Sequence, residues 1–288
     1  MSTPNFFLVG APKAGTTSLF HYMEQHPEIG VSAIKEPCYF APEVPVNPHT
    51  DAHRQTWETY IRLFDAAGDR RAIGEGSVAY LASLGAARAI HARVPHAKIL
   101  MMLRDPADRL FAHYSAARAS SVTQAPFADW ITEQQRVEAA RDRAGTVWGP
   151  IWAGRYATHL IRFRDVFSDA QIHVAFFDEF ITHPQDVLRA IFLFLGVDAD
   201  VTVDFSERRN VTTAARWPAL AALRQPMGSA LRQMLPSGVF ERARAMSRKP
   251  HRLEPSPRDR DMAIALYRDE ITALASATGR DLSAWLEP

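Results

Sequence analysis

The chain has 288 residues, and 33 lysines and arginines against 32 aspartates and glutamates leave a net charge of +1. With 47% hydrophobic and 23% charged residues, it has the composition of a folded protein with an ample core, which excludes a disordered chain and a broadly basic nucleic-acid coat. A single cysteine, Cys38, excludes an intrachain disulfide framework and a multi-cysteine zinc site, and is read as a small half-buried side chain.

No run approaches the roughly 18 to 20 apolar residues of a membrane span, and the N-terminus lacks the zones of a secretory leader. A soluble, cytoplasmic protein is expected. The first strand is expected at Asn5–Gly10, a short apolar run ending in glycine that suits burial on both faces. After a Gly/Pro/Lys loop, Leu19, Tyr22, Met23 and His26 recur at helical spacing until Pro27. A second apolar segment, Ile29–Ile34, runs into Lys35-Glu36-Pro37, and the proline-rich stretch 42–51 reads as a surface loop.

Helical patterns are expected over Gln55–Ala67 and Leu84–Arg93, followed by a strand at Lys98–Leu103. Asp105 is placed to cap a helix over Pro106–Arg118, with proline at its first position. Helix Tyr156–Val166, strand Gln171–Phe177 and helix Pro184–Leu195 follow, with Gly196 as terminator and another helix over Asp261–Leu274. Strands separated by helices imply right-handed crossovers: an α/β fold with a central parallel sheet covered by helices. One domain over 1–288 is expected. Residues 206–260 hold 12 lysines and arginines against four acids, and read either as a solvated segment or as a basic lid over an anionic ligand.

The sequence Gly10-Ala-Pro-Lys-Ala-Gly15-Thr16-Thr17-Ser18 joins a buried strand to a helix. In that setting backbone N–H groups and the positive helix end bind clustered anionic oxygens. Gly10 and Gly15 have the spacing of a Walker A loop, but Thr-Thr stands where a nucleotide triphosphatase needs Lys then Ser/Thr. The lysine lies inside the loop instead, at Lys13.

The stretch Phe7–Leu19 resembles the 5′-phosphosulfate loop of sulfotransferases that use 3′-phosphoadenylyl sulfate (PAPS). Lys98–Tyr114 is similar to that family's 3′-phosphate strand and helix, and Lys35-Glu-Pro-Cys-Tyr-Phe40 resembles the Lys-Glu-Pro segment of its carbohydrate (heparan-type) branch. Gly74–Tyr80 and Gly279–Trp285 also resemble bacterial and carbohydrate-directed members. The resemblance implies a P-loop-like sulfotransferase fold and in-line transfer of a sulfuryl group from PAPS to a hydroxyl of a small-molecule, carbohydrate or lipid acceptor. It further implies adenosine 3′,5′-bisphosphate (PAP) as product and no required metal.

By the same resemblance, Lys13 contacts the 5′-phosphate and the bridging oxygen, while Ala14, Gly15, Thr16, Thr17 and Ser18 hold the phosphate. Glu36 is the expected general base, a role that typically contributes about 10²- to 10⁴-fold. Because some branches of the family use histidine, His21, His26 and His113 stand as alternatives. Arg104, at the end of its strand, suits the 3′-phosphate through its planar fork. The family's serine eight residues further on is replaced by Ala112, leaving Ser115, His113, Arg208 or Arg209 to substitute. Glu75, Ser77 and Tyr80 are placed on the acceptor side. Rival readings are a P-loop kinase or nucleotide hydrolase, with Asp105 ending a Walker B strand, and a non-catalytic nucleotide-binding member. Only four cations are lysines (Lys13, Lys35, Lys98 and Lys249), and three of them fall in the matched segments.

Overall fold

A computed structural model describes residues 2–41, 56–143, 149–206, 213–215, 248–250 and 253–288. Most of the basic 206–260 segment, including Arg208 and Arg209, lies outside the described residues. Five parallel strands form the central sheet: β1 (Phe6–Gly10), β2 (Ile29–Val31), β3 (Ala72–Gly76), β4 (Lys98–Leu103) and β5 (Ile172–Phe176), in the order β2-β3-β1-β4-β5. All residues of β1 and β3 are buried, and so are all of β4 after Lys98. Such strands require cover on both faces, which the intervening helices supply. A separate antiparallel pair joins Thr213–Ala215 to Arg248–Pro250.

Most expected elements are present with small shifts. The helix after the first loop, α1, spans Thr16–Glu24. The segment after Thr56 is a short helix, α2 (Trp57–Ile61), that tightens into a 3₁₀ turn over Arg62–Ala67. The helix expected over Leu84–Arg93 is α4 (Ala86–Arg93), preceded by a short helix not read from the sequence, α3 (Ala79–Ala82). They separate at Ser83, whose hydroxyl accepts from the Gly85 and Ala86 N–H groups. Asp105 caps α5 (Pro106–Ala119) by accepting from the Ala107 and Asp108 N–H groups at 2.8 and 3.3 Å.

Other features depart from expectation. Ile29–Ile34 is a strand only to Val31, because Ser32 turns back to bond the Ile34 carbonyl. Helix α6 (Phe127–Arg143) was not read from the sequence. Nor was β3, whose Gly74-Glu-Gly core reads as a turn. A Cβ at Gly74 would lie 2.3 Å from the Phe6 carbonyl oxygen, so glycine permits the close approach of β1 and β3. Further on, α7 (Tyr156–Arg164), α8 (Phe177–Thr182) and α9 (Pro184–Leu195) lead to a long C-terminal helix, Pro257–Thr278, which begins in a Ser256–Asp259 capping box.

Lys98 has a structural task. Its ammonium donates to the Leu195 carbonyl at 2.9 Å, closing the C-terminal end of α9, where Gly196 takes a left-handed conformation.

Candidate active site

The carboxyl ends of β3, β1 and β4 lie side by side, and each carries one predicted site segment. The connections after β1 and β4 leave toward opposite edges of the sheet, which is where ligands bind in open α/β sheets.

The loop after β1 returns at once into α1. Gly15 precedes the helix with φ +79°, a left-handed conformation glycine adopts without strain. No acidic residue occupies the first turn of α1, and no side chain caps it. The Thr16 and Thr17 N–H groups therefore face an end of the helix that carries positive potential. Ala14 is fully buried and its N–H already bonds the Ala11 carbonyl at 3.3 Å, so it shapes the loop. Thr16 is buried, whereas Thr17 and Ser18 are half-buried. Lys13 stands exposed at the crown with φ +67°, unusual for a residue with a side chain. Desolvation of its ammonium, followed by the nearby Arg109 guanidinium, lowers its pKa from the ordinary lysine range.

Arg104 reaches this loop from β4. One Nη donates to the Lys13 carbonyl at 3.4 Å and the other to Asp108 at 3.2 Å. Its guanidinium lies 5.1 Å from the Phe177 ring centroid, and Phe177 also packs against Gly15. The Asp108 carboxylate in turn accepts from Arg260 at 2.9 Å, and the same guanidinium reaches Asp105 at 3.0 Å. Asp105 thus uses one oxygen as helix cap and the other for Arg260. That engagement explains the residue without a magnesium ion and removes the observation that favoured a Walker B reading.

Ala112 and Ser115 follow Asp108 at helical spacing on one stripe of α5. Ser115 is buried, and its hydroxyl has no partner among the described residues.

Glu36 is held from the β3 side. Its N–H donates to the Gly76 carbonyl at 3.0 Å, and one carboxylate oxygen accepts from the Val78 N–H at 2.8 Å. The other oxygen pairs with Lys35. The side chain is partly exposed, and its backbone lies at φ +64°. Cys38, two residues on, is buried, and burial followed by the Glu36 charge pushes its thiol up to about 12. It is an inert packing group.

The histidine alternatives fare differently. His26 is buried with both ring nitrogens engaged: Nδ1 accepts from the Glu28 N–H at 3.1 Å, and Nε2 lies 2.7 Å from the Asp198 carbonyl. It is a structural group. His21 sits on α1 with Glu24 3.5 Å away. His113 is driven down to about 3, by burial first and then by Arg109 and Lys13, so near neutrality it is a weak base.

Glu75, Ser77 and Tyr80 do not line an open surface: all three are fully buried. Glu75 accepts from Tyr60 and Tyr80 at 2.9 and 2.6 Å on one oxygen and from Ser77 at 2.5 Å on the other. Sequence reasoning also missed Phe177, which is remote in the chain, and the Asp108–Arg260 contact. The i, i+4 spacing of Arg104 and Asp108 was the one available sign of that network. Among the described residues no cluster of His, Cys, Asp or Glu suits a metal ion, and no helix is long and apolar enough to cross a membrane.

Comparison with known proteins places this geometry. The family model for the sulfotransferase domain matches residues 3–214. Rat carbohydrate sulfotransferase 15 is 26% identical over 247 residues, covering 67% of this chain and 44% of the rat protein. Mouse bifunctional heparan sulfate N-deacetylase/N-sulfotransferase 1 is 29% identical over 213 residues, covering 70% of this chain and 23% of its own length. The chain thus spans less than half the length of these curated relatives. The crystal structure of a sulfotransferase from Alicyclobacillus acidocaldarius superposes with a TM-score of 0.74 at 29% identity, covering 99% of both chains. With the family model matching well over half of its residues, and a fold shared along its length with a solved member, the chain belongs to the sulfotransferase domain family.

Proposed function

We propose that this protein transfers a sulfuryl group from PAPS to a hydroxyl of a small-molecule, carbohydrate or lipid acceptor, releasing PAP. The observation that carries this reading is that the Lys13 loop, Arg104 bonded to it, and the Gly76 carbonyl that holds the Glu36 N–H lie at the carboxyl ends of three neighbouring strands, β1, β4 and β3. PAPS supplies a sulfuryl group activated by a phosphate leaving group. The residues present suit its two anionic ends. The open first turn of α1 and the lysine at the loop crown face one, and the Arg104 fork at the end of β4 faces the other.

Lys13 acts on the leaving side. Negative charge grows on the bridging oxygen as the bond to sulfur breaks, and a fixed ammonium there lowers the barrier electrostatically. Glu36 acts on the entering side by taking the proton of the acceptor hydroxyl. The Val78 N–H and Lys35 fix its orientation while leaving lone pairs for that proton, since a carboxylate offers about four acceptor positions.

The test offers radiolabelled PAPS with a panel of hydroxylated glycans, lipids and a metabolite extract, and follows label into acceptor. Wild type is expected to label one fraction; Lys13→Ala and Glu36→Gln are expected to lose about 10²-fold or more. Glu36→Gln keeps PAP affinity. Full activity in Glu36→Gln would overturn the assignment of the base, and magnesium-dependent turnover of ATP without use of PAPS would overturn the reading as a whole.

A further inference from the structure

We propose that Glu75 is a positioning residue for Glu36, acting through the hydroxyls of Ser77 and Tyr80. This rests on the reading of Glu36 as the base. Glu75 lies in β3, beneath the Lys35–Phe40 segment, with no exposed surface and, among the described residues, no cation as hydrogen-bond partner. All three of its partners are hydroxyls that donate to it. Two of those hydroxyls have a second bond. Ser77 Oγ accepts the Cys38 N–H at 3.0 Å, and Tyr80 Oη accepts the Phe40 N–H at 3.3 Å.

A hydroxyl has one proton. Because Ser77 and Tyr80 give theirs to the carboxylate, their oxygens are left as acceptors facing the backbone of residues 38 and 40. The carboxylate thereby sets the direction of both relays, N–H to hydroxyl to carboxylate. These anchors sit just beyond Glu36, on a stretch where Glu36 and Cys38 both hold positive φ, a conformation that residues with side chains keep only when their surroundings enforce it. On the other side, the Glu36 N–H is tied to the Gly76 carbonyl, directly after Glu75 in the chain. The base is thus fixed to β3 from both directions, and Glu75 is the common terminus of the relays.

Glu75→Gln separates this from simple packing. The amide keeps one acceptor oxygen, which the two tyrosines claim, and turns an NH₂ toward Ser77. The Ser77 oxygen then accepts from that NH₂ and its own proton loses the carboxylate that fixed its direction, so its lone pairs are no longer held toward the Cys38 N–H and that anchor weakens.

The experiment measures transfer from radiolabelled PAPS into the fraction the wild type labels, together with PAP affinity, for Glu75→Gln, Ser77→Ala, Glu36→Gln and the double variant Glu75→Gln/Glu36→Gln. Expected is a fall in kcat of about 10- to 100-fold for Glu75→Gln and Ser77→Ala, with KM for PAPS and PAP affinity within about twofold of wild type. In the Glu36→Gln background Glu75→Gln is expected to add no further loss, because the group it positions is already gone. Unchanged kcat in Glu75→Gln, or a loss that repeats in full in the double variant, would overturn the proposal while leaving Glu36 as base. Full activity of Glu36→Gln would instead remove the base reading itself. If Glu75→Gln does not fold, Ser77→Ala decides on the same criteria, since it removes the Cys38 anchor and keeps the carboxylate.

Discussion

Replacing Gly15 by alanine tests whether the anion loop is held in shape by Phe177. The substitution meets two costs. At φ +79° a residue with a side chain is disfavoured by about 1 to 2 kcal/mol. The new Cβ would also lie 2.8 and 2.9 Å from two carbons of the Phe177 ring, well inside contact distance, and overpacking of this kind costs about 1 to 3 kcal/mol. The total is about 2 to 5 kcal/mol, of which only the second part depends on the ring. At about 2 to 4 °C per kcal/mol, the value for chains somewhat shorter than this one, Tm should fall by roughly 4 to 20 °C. PAP affinity should fall as well, because the loop relieves the clash by moving. A double-mutant cycle with Phe177→Ala, read by thermal denaturation and PAP titration, isolates the ring contribution. Gly15→Ala is expected to cost about 1 to 3 kcal/mol less when Phe177 is already alanine. Equal costs in the two backgrounds would refute the contact, and an unchanged Tm in Gly15→Ala would refute the backbone argument too.

Three further outcomes follow from the contacts described. Arg260→Ala leaves Asp105, a buried carboxylate, without its cation and leaves Asp108 paired with Arg104. Denaturant unfolding should show a loss of about 2 to 3 kcal/mol, at or below the low end of what a broken buried pair costs because Arg260 is partly exposed, and PAP binding should weaken as Asp108 competes with the nucleotide for Arg104. Lys98→Met opens the end of α9 and should lower stability by about 1 kcal/mol, with PAP affinity untouched; a loss of nucleotide binding would contradict its assignment as a helix cap. Glu75 is raised by burial from 4.5 to about 7, so its contribution to stability is fully present below pH 4.5 and is lost as pH rises through 7. That difference is worth about 3 kcal/mol. Unfolding midpoints at pH 5.5 and 8.5 should show the wild type losing stability relative to Glu75→Gln over that interval, and parallel pH dependences in the two proteins would count against it.

What could be read from the chain alone is governed by how local the cause is. The strand–loop–helix at Phe6–Glu24, the Asp105-Pro106 start of α5 and the Gly196 end of α9 each follow from a few adjacent residues, and all three stand where periodicity and capping place them. Strand β3 was hidden because Gly74 answers to the Phe6 carbonyl of a strand some 65 residues earlier, a contact no local pattern encodes. Glu75 misled for a related reason. A glutamate beside glycines suggests a wet surface, while the three hydroxyls that make its burial tolerable come from positions 60, 77 and 80. The motif residues Lys13, Glu36 and Arg104 were legible as types at characteristic spacings. Their left-handed backbones at 13 and 36, and the Asp108–Arg260 support of Arg104, emerge only from tertiary packing.

The bonds from Arg260 bear on where this protein can be cut. The family match ends at residue 214, yet Arg260 ties Asp105 and Asp108 to the main-chain carbonyl of Glu287, and Tyr267 closes over Arg109 and Ile151. A fragment trimmed to the matched boundary would expose the flank of α5 and strand two carboxylates beside Arg104, the residue proposed to read a phosphate. There they would compete with the nucleotide for that guanidinium. The smallest useful fragment for crystallography or engineering therefore runs to the last residues of the chain, and a tag or fusion is better placed at the N-terminus than next to Glu287.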